Sequence, residues 1–218
     1  MRTLKVLVFA AALGPLAVLA WGAVSGGLGA NPIETVTRET GTWTLRFLLI
    51  TLAITPLRRA AGWNAAIRFR RMLGLFAFFY GALHLLTYLW LDQFFDVPAI
   101  LKDVYTRPFI TAGLSAFLSM VPLAATSTAG MIRWMGGTAW RRLHRLAYLA
   151  AVAGVVHYWW LVKLDVTGPQ IYAAVLASLL GVRAAWVVAS KRARMRQARA
   201  LSTLQREALD RRPPPAVS

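Results

Sequence analysis

The sequence predicts an all-α membrane protein: a six-helix transmembrane bundle with N- and C-termini cytoplasmic. Three observations carry that expectation. The 218 residues are 58% hydrophobic and 15% charged, with a mean hydropathy of +0.53, which is beyond an ordinary soluble domain. Six apolar segments are long enough, or nearly so, for a hydrocarbon core that needs about 20 helical residues. The basic residues gather on one side of the alternation that these segments define.

The six segments are residues 6–23, 43–57, 72–91, 108–125, 143–162 and 170–189. The first follows Arg2 and Lys5, which would also serve as the n-region of a signal peptide. Its 18-residue apolar run exceeds the h-region length of about 7–15 residues, so a retained helix is expected. The second is short and ends at Thr55-Pro56, where proline disfavours continuing a helix. Pro15 and Pro122 lie inside the first and fourth, where kinks are tolerated if neighbours satisfy the freed carbonyls.

Orientation follows from Lys and Arg. With both termini inside, 19 of the 25 fall in cytoplasmic segments, and only Arg38, Arg46, Lys102, Arg107 and Lys163 fall at the outer side. Arg183 lies within the last segment. Cytoplasmic termini are what the positive-inside bias predicts. Residues 1–190 are therefore read as one transmembrane domain and residues 191–218 as a basic cytoplasmic tail. The first part of that tail suits a helix on anionic lipid, and its Pro213-Pro214-Pro215 end suits disorder.

The net charge of +17 would suggest nucleic acid in a soluble protein. Here the cations sit in short loops and a tail between apolar runs, so a lipid bilayer is the expected partner and no nucleic acid is expected. The absence of cysteine excludes disulfides, Cys-ligated zinc, iron–sulfur clusters and covalent c-type haem. No Gly-rich nucleotide fingerprint follows a strand, and neither tail nor loops are long enough for a soluble flavin or nicotinamide domain. If electrons pass through the chain, their donor and acceptor are separate.

Three histidines occur. His84 and His157 sit deep in the third and fifth segments, as Gly81-Ala82-Leu83-His84 and Gly154-Val155-Val156-His157. Counted from the cytoplasmic ends of their helices, they lie about 18 and 21 Å in, at nearly one level. Ionisable residues at such depth point to function, and two at one level suggest a shared ligand, with a b-type haem iron leading. Helical side chains lean over the residue three or four positions earlier, so Gly81 and Gly154 would leave a shelf beneath each imidazole. The plainer explanation for either glycine alone is close helix packing.

His144 precedes His157 by 13 residues, about 19.5 Å of rise, and suits an inner-side ligand or a contact to headgroups or propionates. Three histidines supply one bis-His haem but not two. Arg46 suits haem propionates on the outer side; Arg70, Arg71, Arg141, Arg142 and Arg145 surround His144. Snorkelling or topology explains each arginine as well. The competing class is a non-redox transporter or scaffold whose histidines form a proton relay or metal site. A relay needs acids at membrane depth, and no Asp or Glu falls inside the six segments.

Four stretches together resemble a known family. They are GTWTLRFLLITLAITPLR (41–58), RRMLGLFAFFYGALHLLTY (70–88), RPFITAGLSAFLSMVPLAATST (107–128) and WRRLHRLAYLAAVAGVVHYWWLVK (140–163). In this order they resemble MsrQ (YedZ), the haem-binding membrane subunits of bacterial MsrPQ methionine sulfoxide repair, within the ferric-reductase-like transmembrane group. The resemblance implies a bacterial inner-membrane location, a b-type haem, an FMN and electrons from the respiratory quinone pool. It also implies delivery to MsrP, a periplasmic molybdopterin enzyme that reduces methionine sulfoxide in proteins. His84, His144 and His157 fall on the family's haem-associated histidines. Larger ferric reductases carry four histidines and a fused flavin domain, and this chain has neither. No motif places the FMN.

Overall fold

The computed structural model describes residues 2–210, and every regular element among them is helical. The helices are α1 (Arg2–Ser25), α2 (Pro32–Ala61), α3 (Arg70–Leu86), α4 (Val97–Thr106), α5 (Pro108–Ala125), α6 (Ala129–Leu143), α7 (Leu146–Leu161) and α8 (Thr167–Asp210). A 3-10 turn at Asn64–Arg68 joins α2 to α3, and α3 widens into a π-helical stretch at Thr87–Asp92. The chain divides into two compact units, Met1–Leu176 and Ala177–Ser218. The triproline end of the tail lies outside the described residues.

Among the described residues five helices are long and apolar enough to cross a membrane: Arg2–Ser25, Pro32–Ala61, Arg70–Asp92, Pro108–Ala125 and Thr167–Arg199. α7, the counterpart of the fifth expected segment, has 16 residues, or about 24 Å of rise. The surface agrees with a multi-pass membrane protein: on α1, Val24 is 84%, Trp21 73% and Val18 71% exposed. In water such an apolar exterior would be an aggregation hazard; in lipid it is the solvated face.

Helix ends extend beyond the apolar runs because caps, not hydropathy, set them. α2 begins 11 residues before the expected start, where the Asn31 side chain accepts the Glu34 N–H and Pro32 takes the first helical position. It also runs through Pro56, ending only at Gly62, whose φ of 65° is left-handed. Its first turns therefore carry Glu34 and Glu39, so acids do occur within the observed helices, near one end of a spanning helix.

Two helices were not expected. α4 starts at Asp96, whose carboxylate accepts the Ala99 N–H at 3.0 Å, with Pro98 in its first turn. Its Asp103 is buried and takes hydrogen bonds from Tyr88 Oη at 3.0 Å and Arg107 Nε at 3.1 Å. α6 starts at Thr128 and bends at Gly136, whose φ of 73° only glycine adopts freely. Neither is apolar enough along its length to stand out in a hydropathy reading.

The core of the first unit is two packed hairpins, α2 on α3 and α5 on α7, with α3 also meeting α5 and α2 meeting α7. Phe47, Phe76 and Tyr80 stack in the α2–α3 seam, with ring centroids 5.5–5.7 Å apart. Tyr80, fully buried, ties α1 to this seam. The Leu16 N–H donates to Tyr80 Oη at 3.1 Å, and the same hydroxyl donates to the Ala12 carbonyl at 2.9 Å. Those two backbone groups flank Pro15, where a proline disturbs the helical ladder, and the phenol bridges them.

Candidate functional site

The hairpins bring His84 of α3 and His157 of α7 together. Their ring centroids are 5.9 Å apart and the planes are nearly perpendicular, at 77°. Each ring is half-buried. His84 Nδ1 lies 2.8 Å from the Thr37 carbonyl of α2, and His157 Nδ1 lies 2.6 Å from the Phe109 carbonyl of α5. A carbonyl only accepts, so each Nδ1 carries the proton and donates it. Each Nε2 is then left with its lone pair, the form in which imidazole ligates a metal.

The donor set discriminates between metals. No group of three or more His, Cys, Asp or Glu side chains able to hold a metal ion exists among the described residues. Two imidazoles alone leave a tetrahedral zinc site unfilled. A macrocycle that brings its own four nitrogens needs only two axial ligands from the protein. With metal–nitrogen bonds of about 2 Å, two axial imidazoles have centroids roughly 6 Å apart, which matches the observed 5.9 Å. The pair fits a b-type haem.

The glycines expected to form a shelf lie in packed surroundings. A Cβ on Gly81 would meet Met120 Cε at 3.0 Å, Thr44 Cγ2 at 3.4 Å and Phe117 Cδ2 at 3.5 Å. A Cβ on Gly154 would meet Leu45 Cδ1 at 3.6 Å. The glycines directly against the imidazoles are Gly41 of α2 and Gly113 of α5, which reasoning along each histidine's own helix did not reach. Their position is set by which helices pair, and no local spacing in the sequence announces it.

Arg46 sits on α2 with its guanidinium 4.6 Å above the Trp43 ring, and its Nε donates to Tyr172 Oη at 3.0 Å. Tyr172 in turn packs against Tyr158, the residue after His157. No carboxylate pairs with Arg46 among the described residues. This is a cation held in place with charge to spare.

His144 stands apart, between α6 and α7. Its ring stacks on Trp140 at 3.9 Å between centroids. Trp140 Nε1 donates to the Thr126 carbonyl at 3.0 Å, and the Thr126 hydroxyl donates to the Pro122 carbonyl at 2.6 Å. That hydroxyl's proton is thereby used, so at 3.3 Å it accepts from His144 Nε2. The tautomer is the reverse of that in His84 and His157. Burial first, and then the nearby Arg70 cation, hold the His144 pKa below that of an ordinary imidazole. Arg183 lies on α8, in the second compact unit.

Comparison with known proteins gives a consistent picture. The family model described as "Ferric reductase like transmembrane component" matches residues 40–155. A protein of Herminiimonas arsenicoxydans is 56% identical over 185 residues, covering 84% of this chain and 85% of its own. One from Ralstonia nicotianae is 51% identical over 86% of this chain and 87% of its own, and one from Caulobacter vibrioides is 52% identical over 80% and 83%. All three bear the name protein-methionine-sulfoxide reductase heme-binding subunit MsrQ. No solved structure matches the chain.

Proposed function

Since this chain belongs to the ferric-reductase-like transmembrane family, and within it to the MsrQ haem-binding subunits, we propose that it carries electrons outward across the bacterial inner membrane. The donor is the respiratory quinone pool, with FMN as an intermediate carrier. The acceptor is an MsrP-type periplasmic molybdopterin reductase that repairs oxidised methionine in proteins. The observation that carries the reading is the His84–His157 pair, two imidazoles each bonded through Nδ1 to a backbone carbonyl, with ring centroids 5.9 Å apart.

In this reading α7 is the sixth span, both termini are cytoplasmic, and residues 1–190 form the haem domain ahead of the basic tail. The charge bias supports that orientation. It puts His84 and His157 in the outer half of the membrane, on the acceptor's side. A b-type haem bound there supplies a one-electron Fe(III)/Fe(II) couple. His84 and His157 would hold the iron, and their Nδ1–H bonds to the Thr37 and Phe109 carbonyls would fix ring orientation. Arg46 neutralises propionate charge, while Gly81 and Gly154 let α3 and α7 pack close to neighbours.

His144 is the inner-side contact on the path by which electrons enter. A donor at the cytoplasmic face and an acceptor at the periplasmic face need a relay across the bilayer, and His144 stands just before α7, the helix that carries His157. The non-redox alternative loses its ground with membership of this family.

The reading is tested in proteoliposomes. A quinol analogue should reduce the haem, and adding an MsrP-type enzyme with methionine sulfoxide outside should reoxidise it. A haem that stays reduced under those conditions would refute the proposed direction of transfer.

A further inference from the structure

His84 and His157 are each laid on the backbone of a neighbouring helix, in the same way. The Thr37 carbonyl that receives the His84 proton stands four residues before Gly41 on α2. The Phe109 carbonyl that receives the His157 proton stands four residues before Gly113 on α5. Each glycine is thus one turn beyond the carbonyl, on the same helix face, under the ring.

The fit leaves no room for a side chain. A Cβ on Gly41 would stand 2.9 Å from His84 Nδ1 and 3.0 Å from its Cε1. On Gly113 it would stand 2.7 Å from His157 Nδ1 and 3.0 Å from Cε1. Optimal contacts between such atoms are about 3.5–4 Å, so each ring would have to move. At Gly74 on α3 the same test is mild, since a Cβ there would meet only Thr51 Cγ2, at 3.7 Å. A flexible side chain turns away from such a clash at small cost. An imidazole held by an Nδ1–H bond to that same helix has no such freedom.

Building on the assignment of His84 and His157 as axial ligands, we propose that Gly41 and Gly113 are paired positioning residues for the haem. By lacking a Cβ, each lets one imidazole lie flush on helix backbone and keep a short Nδ1–H···O=C bond. That bond sets ring orientation and the basicity of the ligating nitrogen. The two hairpins, α2–α3 and α5–α7, each contribute one glycine, one carbonyl and one histidine, so the two axial ligands are built by a repeated device.

The test is Gly41→Ala and Gly113→Ala in the full-length protein in detergent, with Gly74→Ala as control. Haem transfer to an apoprotein acceptor, the ferric EPR spectrum and the midpoint potential are measured. Both alanine variants should lose haem roughly 10-fold more readily, with a shifted EPR signal and potential, while Gly74→Ala matches wild type. Where an alanine variant gives no monodisperse protein, adding His84→Ala to Gly41→Ala, or His157→Ala to Gly113→Ala, should restore it by removing the clashing ring. Variants with wild-type haem retention, EPR and potential would overturn the proposal, as would a failed variant not rescued by removing its ring. Haem retained in full by the His84→Ala/His157→Ala protein would instead remove the ligand assignment beneath it.

Discussion

His84 and His157 are 73 positions apart in sequence, yet their ring centroids stand 5.9 Å apart, each ring anchored by Nδ1 to a different third helix. Four helices therefore converge on one pair of nitrogens. The lone pair of each Nε2 is preserved because a backbone carbonyl, which cannot donate, takes the other nitrogen's proton. Side chains could have served that role, but a carbonyl neither rotates nor titrates.

Arg46 of α2 has no carboxylate partner among the described residues and is held by Trp43 and Tyr172. Arg46→Ala should weaken haem binding and lower the midpoint potential, since removing a positive charge disfavours adding an electron. Redox titration checks the sign. Tyr172→Phe removes only one hydrogen bond and should shift the potential less, in the same direction.

Tyr80 bridges Leu16 N–H and Ala12 C=O beside Pro15. Tyr80→Phe keeps the buried ring but removes both hydrogen bonds, at an expected cost of about 1–3 kcal/mol. Thermal unfolding in detergent should show a lower Tm with the haem spectrum intact at low temperature. An unchanged Tm would mean that the bridge contributes nothing to holding α1.

Asp103 collects the Tyr88 hydroxyl and the Arg107 guanidinium at the start of α5. Arg107 is half exposed, so its ion pair counts for little by itself. The Tyr88 bond is the better shielded of the two. Asp103→Asn should therefore cost roughly 1–2 kcal/mol, with Tyr88→Phe accounting for most of it. Comparing the two variants and their double by thermal melts measures the coupling.

His144 interacts with Thr126 and Trp140 and lies 13 residues before His157, ahead of the start of α7. His144→Ala should leave the His84–His157 spectrum in place while slowing haem reduction by a quinol analogue. Stopped-flow reduction separates the two effects, because loss of the outer haem and loss of the inner route have different amplitudes and rates.

Most of the bundle was legible from residues alone, because hydropathy over 15–20 residues is a strong signal. Residues 108–125 were expected as a helix and α5 has those limits. Depth arithmetic put His84 and His157 at one level, and the rings are neighbours. α4 and α6 were missed because short amphipathic helices between charged residues look like loops. The cap at Asp96 followed by Pro98 was the available signal for α4. α2 and α8 were expected too short, since caps and charged helical turns continue where apolar character stops. Gly41 and Gly113 were out of reach for a different reason. Their role exists only once α2 lies against α3 and α5 against α7, and that pairing is tertiary information.

The most direct measurement is a dithionite-reduced minus oxidised visible spectrum of protein purified after haem-replete expression, taken for wild type, His84→Ala, His157→Ala and the double variant. The account predicts b-type bands in wild type, reduced haem content in each single variant and loss of this haem's bands in the double. Wild-type protein without b-type bands, or a double variant with wild-type bands at full occupancy, would contradict it.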